Sequence, residues 1–113
     1  MTPKKNPLKL NSLQLKTLTL LQEIARQPDF TTTDEATGET VIRALPHAHG
    51  NHFHIGRAVV MSADATGLGN PAVWAALGRK GLVRQVEAGY AVTAEGATYD
   101  TGLRDRILHG SDH

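Results

Sequence analysis

With 113 residues, 40% of them hydrophobic, 11 glycines and no cysteine, the chain has material for one modest core, not two, and is too apolar for a disordered segment. Twelve Lys and Arg against eleven Asp and Glu leave a net charge of +1, so a nucleic-acid partner would have to be met by clustered rather than bulk positive charge. Absent cysteines exclude disulfides and thiolate metal sites, and no apolar run approaches the roughly 20 residues that span a bilayer, so the expectation is a cytoplasmic protein with no membrane partner.

In chain order, residues 1–10 read as a flexible arm carrying Lys4, Lys5 and Lys9, without the apolar segment of a signal peptide behind them. Asn11 or Ser12 can cap a helix running to about Gln27, where Pro28 stops it. Leu13, Leu20, Leu21, Ile24 and Ala25 recur at helical spacing, with Leu10 just outside, and give that helix one broad apolar face. Phe30 to Thr33 and Thr40 to Leu45 read as a hairpin, followed by a third strand from His52 to Met61. Ser62 can then cap a short helix reaching Leu68.

Residues 70–96 are the most informative stretch. Asn70 can cap a helix with its side-chain oxygen, and Pro71 fits the first helical position, where a missing N–H is no loss. Val73 and Leu77 fall one turn apart; Arg79 and Lys80 suit the last turn; Gly81 can take the left-handed conformation that ends a helix. Val83 to Val86 and Tyr90 to Thr93 then read as a ribbon turning around Glu87, Ala88 and Gly89. A last helix is expected from about Tyr99 to Leu108, with 109–113, including His109 and His113, as a tail.

A second feature is PHAHGNHFHIG, in which His47, His49, His52 and His54 lie symmetrically about Gly50 and Asn51. If that pair is a two-residue hairpin turn, His49 faces His52 and His47 faces His54, so all four share one side of the ribbon and Ala48 and Phe53 the other. Opposed Cβ atoms in such a ribbon lie about 4.5–5.5 Å apart. Imidazoles suit zinc, nickel or copper, bind as neutral rings and release metal as pH falls. Two or three histidines plus water or a partner chain surround an ion more readily than four from one flat ribbon. The plainer reading is a polar, stacking surface that titrates near neutral pH.

The run LGRKGLVRQVEAGYAVTAEG resembles the recognition helix and wing of MarR-like and ArsR-like winged helix-turn-helix proteins, which are mostly bacterial DNA-binding regulators. The resemblance implies an α+β winged helix with a β-hairpin or meander inserted between its first and second helices. It also implies a function as a transcriptional regulator on double-stranded DNA; the histidine hairpin, read separately from its spacing, would make such a regulator metal-responsive. Asn70 and Arg79 are then the polar candidates for base edges, and Lys80, Arg84 and the amino-terminal lysines those for phosphates. Each has a bland counterpart, since Asn70 caps, Arg79 and Lys80 satisfy a helix end, and Trp74 beside Val73 and Leu77 suits a core or dimer contact. Ala72, Ala75 and Ala76 leave the helix face poor in base-reading groups, which motivates the alternative: a winged-helix interaction or dimerisation module that does not bind DNA. Either reading favours a homodimer, with the leucine helix as its surface. No nucleophile elbow and no phosphate loop occurs, so an enzyme is not expected.

Overall fold

A computed structural model describes residues 6–87 and 89–110, with His49 described through its backbone only. Lys4, Lys5, Ala88 and His113 lie outside the described residues. The fold is mixed α and β, with helices set among two antiparallel four-stranded sheets.

Helix α1 (Ser12–Ile24) opens with a capping box: Asn11 accepts from the Gln14 backbone N–H at 2.8 Å, and the Gln14 side chain accepts from the Asn11 N–H at 3.0 Å. The helix does not present one apolar stripe. Thr17, Leu18, Thr19, Leu20 and Leu21 are all buried, so α1 is the central rod around which the other elements pack. Its threonines tolerate this because each hydroxyl donates back to the carbonyl four residues earlier, Thr17 to Leu13 at 2.8 Å and Thr19 to Leu15 at 2.7 Å. The Thr19 and Thr101 hydroxyls also meet at 2.6 Å.

The first sheet contains β1 (Thr31–Thr33), β2 (Thr40–Ile42), β6 (Val83–Val86) and β7 (Gly89–Val92), in the order β1-β2-β7-β6. Ile42, Val83 and Val92 point from it into the core. Helix α2 (Pro71–Arg79) begins as expected, with Asn70 accepting from the Ala72 N–H at 3.0 Å, and ends before Gly81 at φ 78°. In place of the expected helix over 62–68 there are two 3-10 turns, Ser62–Asp64 and Thr66–Gly69. Gly67 explains the tight approach there, since a Cβ on it would lie 1.9 Å from the Thr17 hydroxyl.

The second sheet corrects the expected strand from His52 to Met61. That stretch is a hairpin, β4 (His52–Ile55) and β5 (Ala58–Met61), turning at Gly56, whose φ of 60° no β-branched residue would accept. With β3 (Ala48–His49) and β8 (His109–Gly110) it forms the order β3-β4-β5-β8. The two expected β segments thus belong to separate sheets rather than one meander. The expected last helix, from about Tyr99 to Leu108, is reduced to the single turn α4 (Arg104–Ile107), preceded by Gly102 at φ 72° and by a short helix that was not expected, α3 (Ala94–Thr98). His109 is a strand residue paired with Val59, not part of a tail.

Residues 6–10 are tied down rather than forming a free arm. The Tyr99 hydroxyl donates to Asn6 Oδ1 at 2.6 Å and accepts from the Leu8 N–H at 3.1 Å, while Leu10 is buried. Glu23 on α1 accepts from Arg104 at 2.6 Å and so anchors α4 to the rod. One contiguous core takes in α1, α2, α4 and residues of both sheets. Gly78, half-exposed in the last turns of α2, would place a Cβ no closer than 3.9 Å to the Val83 carbonyl. Gly78→Ala is therefore expected to raise stability by about 0.5–1 kcal/mol, read as a higher midpoint in urea with an unchanged slope.

Candidate functional site

Alternation of buried and exposed positions on α2 sets its outer surface. Val73, Trp74, Ala76 and Leu77 face inward, leaving Pro71, Ala72, Ala75 and Arg79 exposed and Gly78 half-exposed. Ala76 is thus a core residue, in contrast to the expectation that it shares the outer face. Trp74 is buried too; its indole N–H donates to the Leu68 carbonyl at 2.9 Å and its ring lies 4.7 Å from that of Tyr90 on β7. Two shallow apolar clefts flank that aromatic pair. One of about 180 Å³ is bordered by Ile42, Ala44 and Leu45, and the other, of about 250 Å³, by Leu68, Gly69 and Pro71.

The four residues singled out for DNA contact do not form one cationic cluster. Asn70 is half-exposed at the start of α2, where its Oδ1 is committed to the cap. Arg79 is exposed at the other end of the helix, and the adjacent Lys80 donates from Nζ to the Leu8 carbonyl at 2.9 Å. Arg84 on β6 donates from Nε to Glu39 Oε1 at 3.0 Å, with Asp34 Oδ2 4.0 Å from its Nη2. The Glu39 hydrogen bond and then the Glu39 charge, with a smaller contribution from Asp34, raise the Arg84 pKa above its ordinary value, so the guanidinium is permanently charged and already faces carboxylates. Neither partner was legible in the sequence. Both come from the far end of the β1–β2 hairpin, brought beside β6 by the β2–β7 pairing.

The histidine ribbon turns where the sequence places it. His49 pairs with His52 across Gly50 and Asn51, and Gly50 has φ 66° at the first turn position, as a type II′ turn requires. The ladder stops at Ala48 and Phe53, so His47 is an exposed residue outside β3 and is not paired with His54. His52 and His54 lie on the same side of β4, their ring centroids 4.9 Å apart and nearly perpendicular. Asn51 Oδ1 lies 3.4 Å from His52 Nδ1, a contact that the Nδ1–H tautomer makes as a hydrogen bond, since an amide oxygen only accepts. Among the described residues no three His, Asp or Glu side chains stand close enough to share an ion.

Strand pairing adds a residue that the sequence reading passed over. Met61 on β5 is directly opposite His52, and at 39% relative exposure it is the most accessible large apolar side chain described. The cross-strand row is therefore His49, His52, Met61, with His54 beside its centre. The signal was Gly56 between two apolar runs, which marks the turn and so fixes the pairing. The opposite side of the sheet is apolar and inward, carried by Phe53, Ile55 and Val60. No helix among the described residues is long and apolar enough to cross a membrane. No family model, curated protein or solved structure matches the chain.

Proposed function

We propose that the chain is a winged-helix domain that binds double-stranded DNA as a transcriptional regulator, in the manner of the MarR-like and ArsR-like proteins it resembles. The observation that supports this best is topological. Helix α1, strand β2, the paired 3-10 turns, helix α2 and the β6–β7 ribbon follow one another, and β2 lies against β7 at the root of that ribbon. This is the order in which a winged helix builds a wing beside a groove-reading helix. The small exposed side chains of α2, Ala72 and Ala75, would let its backbone approach a groove closely, with Arg79 at the rim.

Arg84 would serve as a phosphate contact held in check by Glu39. In a binding assay on random-sequence duplexes at two salt concentrations, a short site should be enriched and binding should weaken as salt rises. Arg79→Ala should weaken binding to the enriched site. Glu39→Gln should strengthen it about three- to tenfold at low salt, because Arg84 no longer has to leave a carboxylate to reach a phosphate. Absence of enrichment, together with an inert Glu39→Gln, would reject DNA as the partner.

A specific observation favours a second reading, a protein-interaction module. The smooth α2 face adjoins the clefts beside Trp74 and Tyr90, a surface suited to another protein. A homodimer accompanies either reading, but the leucine helix does not supply its surface, because Leu18, Leu20 and Leu21 are fully buried within the same chain. Light scattering on Ala75→Arg tests α2 as that surface: a dimer joined there becomes a monomer.

A further inference from the structure

We propose that the outer side of the second sheet binds a copper(I) ion through the imidazoles of His52 and His54 and the thioether of Met61. The site is independent of DNA binding and lies on strands that the wing does not use. Three observations carry it.

First, the two rings already have the separation of a chelating pair. With a metal–nitrogen bond of about 2.0 Å and about 1.2 Å from ring nitrogen to centroid, two imidazoles on one ion hold their centroids roughly 4.5–5.5 Å apart for bond angles between 90° and 120°. The observed 4.9 Å falls within that interval. Second, Met61 is directly opposite His52 in the β4–β5 ladder, where Cβ atoms lie about 4.5–5.5 Å apart, within reach of its flexible thioether. The backbone pins this register on both sides, with the Ser62 N–H donating to the Asn51 carbonyl at 2.8 Å just beyond the pair. Third, Asn51 Oδ1 stands 3.4 Å from His52 Nδ1, where it would accept from the Nδ1–H tautomer, the kind of outer hydrogen bond that orients a metal-binding imidazole.

The donor set selects the metal. Two imidazoles and a thioether are borderline and soft, without the carboxylate or thiolate that would complete a zinc site, and a thioether favours copper(I). His109 does not belong to the set, since Val59 stands between it and His54 across the ladder.

The test uses the full chain, stripped of metal and kept under reductant without oxygen, in competition with bicinchoninate for copper(I). The protein should withdraw one copper(I) per chain, with sulfur scattering in its X-ray absorption spectrum. Met61→Leu should remove that scattering and weaken affinity by about tenfold or more, and His52→Asn with His54→Asn should abolish binding. His109→Asn should leave it unchanged. No withdrawal of copper from the chelator, unchanged affinity in Met61→Leu, or displacement by equimolar zinc would overturn the proposal. Should the double histidine variant unfold, Met61→Leu, at an exposed position, decides alone.

Discussion

Gly96→Ala is expected to cost about 3 kcal/mol or more and to lower the melting temperature by roughly 10–20 °C. Gly96 is buried in the first turn of α3, where a Cβ would lie 1.9 Å from the Leu82 carbonyl oxygen and 2.9 Å from its carbon. Both are backbone atoms, so no rotamer change relieves the contact. Relief would require α3 to move from the start of β6, where it is held by a chain of hydrogen bonds. The Gly96 N–H donates to the Thr93 hydroxyl at 3.0 Å, that hydroxyl donates to the Gly81 carbonyl at 2.7 Å, and the Thr93 N–H donates to the Leu82 carbonyl at 3.2 Å. Gly69→Ala is the control: nothing lies within 4 Å of its Cβ position, and a change within about 0.5 kcal/mol is expected. Equal melting temperatures for the two variants would refute this placement of α3.

Trp74→Ala should be comparably severe, at about 3–5 kcal/mol. Much of a typical domain's stability of about 5–15 kcal/mol would then be gone. The indole joins α2 to β7 through Tyr90 and satisfies the Leu68 carbonyl, so alanine leaves a cavity and an unpaired acceptor together. Trp74→Phe separates the two effects. It keeps most of the apolar contact and loses the hydrogen bond, for which about 1–2 kcal/mol is expected. Chemical denaturation followed by circular dichroism measures both, because these variants lack the chain's one tryptophan. A phenylalanine variant as damaged as the alanine one would mean that the hydrogen bond, not packing, dominates.

Where local chemistry decided the outcome, the sequence was a reliable guide. Asn70, Pro71 and Gly81 delimit α2 through interactions within a few residues of one another, and Gly50 fixes the histidine turn. Where a distant partner decided, it was not. Thr17 and Thr19 look like breaks in an apolar stripe, yet Gly67 packs on the first and the Thr101 hydroxyl meets the second, so the helix is covered on those sides too. Gly67 looks like a weak point in a helix, yet it is what lets that turn rest on Thr17. Arg84 reads as a phosphate ligand until the first sheet closes and brings Glu39 to it. Met61 carries no metal signal of its own and acquires one only through its strand partner.

The burial of α1 has a further consequence, for the order of events on the ribosome. The helix is translated before every element that covers it: Thr101 follows Thr19 by 82 positions, and Arg104 follows Glu23 by 81. At about 5–20 residues per second, Thr19 and Glu23 are made roughly 4–16 s before those partners, far longer than a helix takes to form. An isolated helix of 13 residues is marginal in water, so α1 gains its stability only as α2 and the strands of both sheets follow it into the core. The contacts of Thr19 and Glu23 are thus among the last of the fold to close, once Thr101 and Arg104 have been added to a chain already long enough to hold α2 and the first sheet.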